Sequence, residues 1–183
     1  SASGLGAGQE VRGVRHFERF EAGRIYAMAI MMYQHNNAGA YVGFSLMDGA
    51  AEKTFAGRPS QNEQRFGLEA GGTRRMSQEI FWGGSVATPH YYAVIAMYDF
   101  TTRELKGWIY AHDEMGIPGQ EPEALATMTL PAGSITTIDG IKLVAGGNCG
   151  TAWFDEVRVA SSWAGLLDLA ISDPNAAPTV QAY

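Results

Sequence analysis

The chain has little cysteine, histidine and charge, and each shortage excludes a class of protein. Its 183 residues include one cysteine, Cys149, so no internal disulfide can form. The four histidines are far apart, with no His-x-x-x-His spacing and no paired cysteines, which argues against zinc. Only 17% of the residues are charged, and a net charge of -6 with scattered basic residues does not suit nucleic-acid phosphates. We predict neither a nucleic-acid partner nor a zinc site.

Long apolar runs are also missing, whereas glycine and aromatic residues are plentiful. No run approaches the roughly 20 residues of a membrane helix, so membrane insertion is not expected. The chain has 23 glycines and 11% aromatic residues, and helix formers do not cluster at helical spacing. This composition favours many short strands joined by tight turns, in one domain with a substantial core.

Two segments are apolar on both faces of a predicted strand. They are residues 25–33 and 91–100, and strands of this kind must be covered on both sides. We predict about ten strands at spacings of roughly 8 to 15 residues, without a helix long enough to connect parallel strands. The predicted fold is therefore all-β, an antiparallel two-sheet β-sandwich.

The segment 150–163 predicts a closing strand. Gly150 supplies a turn, and the residues after it alternate between two faces with the period of two that a pleated strand requires. The expected first face carries Trp153, Asp155, Val157 and Val159, and the second carries Phe154, Glu156 and Arg158.

This closing run, Trp-Phe-Asp-Glu-Val-Arg-Val, resembles the last core strand of laminin-G-like domains in the concanavalin A-like lectin/glucanase superfamily. Segments 41–49, 92–100 and 138–143, which precede this run, occur in the order expected of bacterial surface proteins with such domains. The resemblance covers roughly residues 10–163 and implies a concanavalin A-like jelly roll. Residues 1–9 are then a flexible or partner-ordered arm, and residues 164–183 an extended tail.

The superfamily includes laminarinase-type glycosidases, which carry Glu-x-Asp-x-Glu on one strand. Retaining hydrolysis needs two carboxyl groups about 5 to 5.5 Å apart. The chain has no such run, and the adjacent Asp155 and Glu156 are predicted to point to opposite faces. Asp113 and Glu114 share a polar loop. We therefore predict a protein that is not an enzyme.

The resemblance also implies a possible calcium ion at a sheet rim, held by Asp155, Asp48 and Asn148, because oxygen ligands suit a hard cation. The alternative leaves Asp48 in a turn, Asn148 in a loop and Asp155 bonded to backbone amides. No other cofactor is expected.

Sugar binding in such sandwiches uses an exposed aromatic platform. The candidates are Trp82, Trp108, Tyr110 and His112. Aromatic residues on strands are more often core than platform, so Trp108 has a core role as its alternative.

The family's opening strand, with a Phe-Asp-Tyr-like segment, is not found before Val11. Without it, the edge beside residues 153–160 is a template for strand addition. A truncated chain, the chain's own tail, or a strand of a neighbouring copy could account for the gap. The side chains predicted to insert are Leu166, Leu167, Leu169 and Ile171, and the alternative is that they cap their own sandwich.

These observations predict a non-catalytic extracellular β-sandwich that acts as a structural, self-assembling subunit of a cell-surface or matrix structure. The alternative is a carbohydrate-binding, lectin-like adhesion module, and a more distant one is a glycoside hydrolase. Expected partners are copies of the chain, a larger surface assembly, or glycans. The expected location is outside a bacterial cell or on its surface.

Overall fold

The computed structural model describes residues 11–34, 39–60, 64–83, 90–111 and 116–167. These ranges contain twelve strands and one short helix. The strands are β1 Val11–Phe20, β2 Arg24–Tyr33, β3 Tyr41–Asp48, β4 Ala51–Glu52, β5 Thr54–Arg58, β6 Arg65–Ala70, β7 Thr73–Ile80, β8 Tyr92–Asp99, β9 Glu104–Ala111, β10 Ala126–Thr129, β11 Ile138–Gly146 and β12 Ala152–Ala160, and the helix is α1 Trp163–Leu167.

The strands form two antiparallel sheets, which confirms the predicted sandwich. The seven-stranded sheet has the order β1-β11-β3-β5-β6-β7, with β4 paired to β3, and the five-stranded sheet has the order β10-β9-β8-β2-β12. Strands β5, β6 and β7 are consecutive neighbours, and the β6–β7 turn places Gly71 and Gly72 at φ +56° and +76°, where a side chain costs free energy.

The main core lies between the two sheets, and a second apolar cluster covers the outer face of the five-stranded sheet. The second cluster contains Tyr26, Met28, Ile95, Trp108 and Trp163. Strands β2 and β8 contribute to both clusters, so the prediction that they are covered on both sides is confirmed. The cover consists of α1 and of residues 116–125, which we name the strap.

Three aromatic side chains hold the strap by hydrogen bonds. Trp108 Nε1 donates to the carbonyls of Pro122 and Glu123 at 3.2 and 3.1 Å, and Trp163 Nε1 donates to the carbonyl of Pro118 at 2.7 Å. The Tyr26 hydroxyl donates to Glu121 Oε2 at 2.6 Å, and burial raises the pKa of Tyr26 to about 12. The strap is therefore fixed to the sheet through Trp108 and Tyr26 and to α1 through Trp163.

A β-bulge corrects the predicted alternation of the closing strand. Asp155 pairs with Ile30, whereas Arg158 pairs with Met28, so β12 carries one extra residue, and Glu156 has φ +50°. The extra residue reverses the parity, so that Phe154, Val157 and Val159 all pack on the main core. Trp153 and Val157, predicted on one face, therefore lie on opposite faces.

Strand β12 lies at one edge of the five-stranded sheet and pairs only with β2 within the described residues. Leu166 is fully buried in the second cluster and Leu167 packs against it, so both cap their own sandwich, as the alternative predicted. Leu169 and Ile171 lie outside the described residues, as do residues 1–9. Among the described residues, no helix has the length and apolarity that crossing a membrane requires.

Candidate functional site

A groove of about 510 Å³ lies between the end of β7 and the end of β9. Its volume is within the range of about 300 to 1,000 Å³ that is typical of small-molecule sites. The described lining residues are Gln78, Glu79, Ile80, Trp82, Tyr92, Ile109, Tyr110, Ala111 and Gly116. Two of the four residues predicted from the sequence as a sugar platform, Trp82 and Tyr110, therefore line one groove.

Trp82 is held at the mouth of the groove by the buried residue before it. Phe81 is fully buried, with ring centroids 5.6 Å from Tyr33 and 4.7 Å from Tyr92, and its carbonyl accepts a 2.5 Å hydrogen bond from the Tyr33 hydroxyl. The Trp82 N–H donates to the Tyr92 hydroxyl at 3.3 Å, while the residue stays 45% exposed. An exposed aromatic ring on an immobilised backbone is a suitable stacking platform.

Polar groups at the end of β7 line one side of the groove. The Ser77 hydroxyl accepts a 3.0 Å hydrogen bond from the Glu79 N–H, and Arg65 Nη1 donates to Gln78 Oε1 at 3.0 Å. The hydrogen bond from Arg65 to its oxygen therefore fixes the orientation of the Gln78 carboxamide. Its NH₂ group and the Glu79 carboxylate supply a donor and an acceptor of hydrogen bonds.

Tyr110 and Tyr92 approach the groove from opposite faces of the five-stranded sheet. Tyr92 belongs to the main core, whereas Tyr110 packs against the second cluster. Partial burial raises the pKa of the Tyr110 hydroxyl, which is therefore neutral near pH 7. Tyr110 therefore places a neutral hydroxyl beside apolar surface.

The structure corrects the assignment of Trp108 to the platform. Its ring is 1% exposed in the second cluster, with its centroid 5.0 Å from that of Trp163, and its Nε1 bonds the strap. A ring covered in this way cannot stack on a ligand. His112 lies outside the described residues, directly after β9.

The three predicted calcium ligands lie in different places. Asp48 ends β3 and lies 3.4 Å from Lys53 Nζ, and hydrogen bonds with Thr137 and Lys53 lower its pKa. Asn148 follows β11 at the opposite end of the sandwich, at φ +63°. Asp155 Oδ1 accepts the Glu156 N–H at 2.8 Å on the β12 edge. Since β3 and β11 are antiparallel, Asp48 and Asn148 cannot share an ion.

No group of three potential metal ligands from His, Cys, Asp or Glu occurs among residues 11–34, 39–60, 64–83, 90–111 and 116–167.

A second cavity of about 500 Å³ shows why volume alone does not identify the site. It lies beside Glu52, Phe55, Glu69 and Arg74. Its charges are engaged within the chain: Glu69 pairs with Arg74, and Glu52 pairs with Lys142 and accepts the Ser45 hydroxyl at 3.0 Å. A ligand would have to displace these partners, whereas Trp82 is already exposed.

A buried cation, not anticipated from the sequence, supports this end of the sandwich. Arg58 is fully buried, with its guanidinium carbon 5.2 Å from the ring centroid of Tyr33, and burial lowers its pKa. Cys149 is also fully buried, and burial raises its thiol pKa. Arg58 lies between Gly57 and Pro59, residues typical of turns, although it ends β5 and is buried. The pattern gave no signal for a buried guanidinium.

The polar groove residues that the sequence did not reveal are Gln78, Glu79 and Tyr92. All three read as ordinary strand residues, because their shared groove depends on how the two sheets pack. The sequence signal for Trp82 is its position next to Phe81, since adjacent residues of an extended segment face opposite sides and both rings cannot be buried in one core.

No family model matches the sequence, and no curated protein matches it significantly. Among solved structures, the chain is similar to a tetrameric galectin from the ball sponge Cinachyrella sp., with 10% identity, a TM-score of 0.55, and coverage of 81% of this chain and 99% of the galectin. It is also similar to a native heptameric SAP-like pentraxin from Limulus polyphemus, with 12% identity, a TM-score of 0.52, and coverage of 84% and 70%. The fold is a concanavalin A-like jelly roll.

Proposed function

We propose that this chain is a non-catalytic, lectin-like module that binds glycans in the groove between β7 and β9. The observation that carries the proposal is the exposed Trp82 side chain, which lines the groove with Gln78 and whose backbone N–H bonds the Tyr92 hydroxyl. Sugar rings present apolar C–H faces and polar rims, so they suit a platform flanked by hydrogen-bonding groups. The galectin and pentraxin neighbours support the fold on which such a site is built.

The self-assembly role that the sequence favoured becomes the second candidate. The observation in its favour is the β12 edge, which has one neighbouring strand within the described residues. This edge is poorly suited to strand addition, because it carries a bulge and the charged side chains of Asp155, Glu156 and Arg158. Leu166 is buried in its own chain, so it is not available for insertion elsewhere.

A hydrolytic role has less support. Glu79 is the single carboxylate among the described lining residues, and retaining or inverting hydrolysis uses two. Asp155 and Glu156 lie on β12, three strands from β9 in the same sheet, and Asp113 and Glu114 lie outside the described residues. We therefore propose binding without turnover, in a laminin-G-like module that works outside a bacterial cell.

Binding to an array of immobilised glycans tests the proposed function. The unmodified protein should bind a defined subset of glycans, and Trp82→Ala should lose at least about 30-fold in affinity, the loss typical of a central aromatic anchor. Trp153→Ala, which removes the same residue type from the β12 edge, should bind normally. Failure to bind any glycan, or equal losses in the two variants, would overturn the proposal. Release of reducing sugar from a bound glycan would contradict its non-catalytic part.

A further inference from the structure

In the part of the chain that the structure describes, the backbone of β9 is paired along only half of its outer edge, and the other half lines the groove. Strand β10 pairs with Glu104–Gly107 and does not reach Trp108–Ala111. The carbonyls of Arg103 and Gly107 accept bonds from Leu130 and Leu125, so odd-numbered residues turn their backbone groups away from β8. The N–H and C=O groups of Ile109 and Ala111 therefore point toward the groove, and within the described residues no hydrogen bond to them is found.

The groove also crosses this edge from one face of the five-stranded sheet to the other. Ile109 faces the main core, next to Tyr92 and Trp82, whereas Tyr110 packs on the opposite face against the second cluster. A ligand that contacts both Trp82 and Tyr110 must therefore pass over the backbone of β9. One sugar ring stacked on Trp82 leaves the Tyr110 side of the groove unfilled.

The charge of the groove restricts the ligand further. Its described lining contains no lysine or arginine, its one charged residue is Glu79, and the neighbouring Arg65 is bonded to Gln78. An anionic sugar would face this carboxylate without a cation to compensate it. The hydrogen-bonding groups that remain, namely amide, hydroxyl and backbone groups, suit sugar hydroxyls.

We propose that the groove binds an internal stretch of an uncharged, linear oligosaccharide, which lies across the open half of β9 and hydrogen-bonds to the backbone of Ile109 and Ala111. This inference rests on the proposed function and adds chain length, charge and backbone recognition to it. A glycan is favoured over a peptide strand, because the open edge offers only two outward-facing residues, too few for an extended strand pairing.

Calorimetric titration with a series of uncharged sugars tests the inference. The series runs from monosaccharide to tetrasaccharide and is taken from a polymer that binds on the array. Affinity should rise at least about tenfold from monosaccharide to trisaccharide, and a uronate-containing chain of equal length should bind at least about tenfold more weakly. Equal affinity for the monosaccharide, or tighter binding of the uronate chain, would overturn the inference while the proposed function stands. Binding of an extended peptide but of no oligosaccharide would overturn both.

A matched pair of variants tests the backbone contact. Ala111→Pro removes the outward N–H without breaking a bond to β8, and it should lower trisaccharide affinity at least about fivefold. Ala111→Val adds similar bulk but keeps the N–H, and its loss should be smaller. Equal losses in the two variants would contradict the backbone contact. If Ala111→Pro fails to fold, the length series on the unmodified protein still decides the inference.

Discussion

Among the described residues, the five-stranded sheet leaves the outer edge of β12 and half of the outer edge of β9 without a neighbouring strand, and these two edges differ in backbone regularity and in charge. The β12 edge carries a bulge at Glu156, an Arg158–Glu156 ion pair, and a contact from Arg158 Nη1 to the Leu166 carbonyl at 3.4 Å. The open half of β9 contains Ile109 and Ala111, and the exposed Trp82 lines the same groove. Natural sheets protect edges that must not pair, so the unprotected edge is the better candidate for binding.

The largest expected effect comes from weakening the cover beside the protected edge. Leu166→Ala removes a fully buried side chain from the second cluster and should lower the free energy of unfolding by about 3 kcal/mol, measured by urea denaturation. Leu167→Ala removes a half-buried leucine from the same helix and should cost less than half as much. Equal costs would show that α1 does not cover the sheet as described.

The second largest effect is expected at Asp99, which ends β8 opposite Glu104 at the start of β9. Asp99 is nearly buried and accepts hydrogen bonds from Arg24 Nε and from the N–H groups of Thr101 and Thr102, each between 2.8 and 3.0 Å. Although desolvation alone would raise its pKa, these hydrogen bonds lower it below the usual 3.8. Asp99→Asn should therefore destabilise the chain by about 2 kcal/mol at pH 7.

The pH dependence of Asp99 has a definite sign. Because the folded pKa is below the unfolded value, the stability that the carboxylate contributes is present above about pH 4 and is lost as the pH falls through the folded pKa. The difference in stability between the two proteins should shrink below pH 4. Glycan binding at pH 7 should not change, because Asp99 ends β8 opposite Glu104, at the end of β9 that is far from the groove. Weaker binding would show that the groove depends on the turn between β8 and β9.

A smaller effect is expected at the bulge of the protected edge. Glu156 has φ +50°, which disfavours any residue with a Cβ. Glu156→Gly should be about 1 kcal/mol more stable than Glu156→Ala, since both lose the Arg158 ion pair and only glycine relieves the backbone. Thermal denaturation of the two variants measures this, and equal stability would contradict the left-handed conformation.

Removal of metal ions is expected to have no effect on stability. Asp48, Asn148 and Asp155 do not converge, so an excess of chelator should leave the melting temperature unchanged. A lowered melting temperature, reproduced by Asp155→Asn, would restore a calcium ion to the β12 edge.

The sequence was sufficient for the architecture, because period-two patterns and the doubly apolar strands β2 and β8 depend on burial alone. It failed at β12, where one bulged residue reverses the face of every residue after it. It also failed at Trp108, since a strand pattern does not show that the strap covers the outer face. Asp48 and Asn148 looked like partners until the antiparallel pairing of β3 and β11 separated them.

Two of the nine described lining residues of the candidate site, Trp82 and Tyr110, could be predicted from the sequence. Trp82 and Tyr110 are large aromatic residues near strand ends and attract attention in any reading of the sequence. The contribution of Glu79, Tyr92 and the Ile109 backbone depends on where β10 ends and on how the two sheets pack. Local pattern carries no information on either.

Chemical-shift mapping by NMR during titration with a bound oligosaccharide tests the contrast between the two edges most directly. We predict large, saturable shifts for the backbone amides of Ile109 and Ala111 and for the Trp82 indole N–H. The amides of β12, from Ala152 to Ala160, should remain unchanged. Shifts confined to β12, or absent from β9 at saturation, would contradict the account.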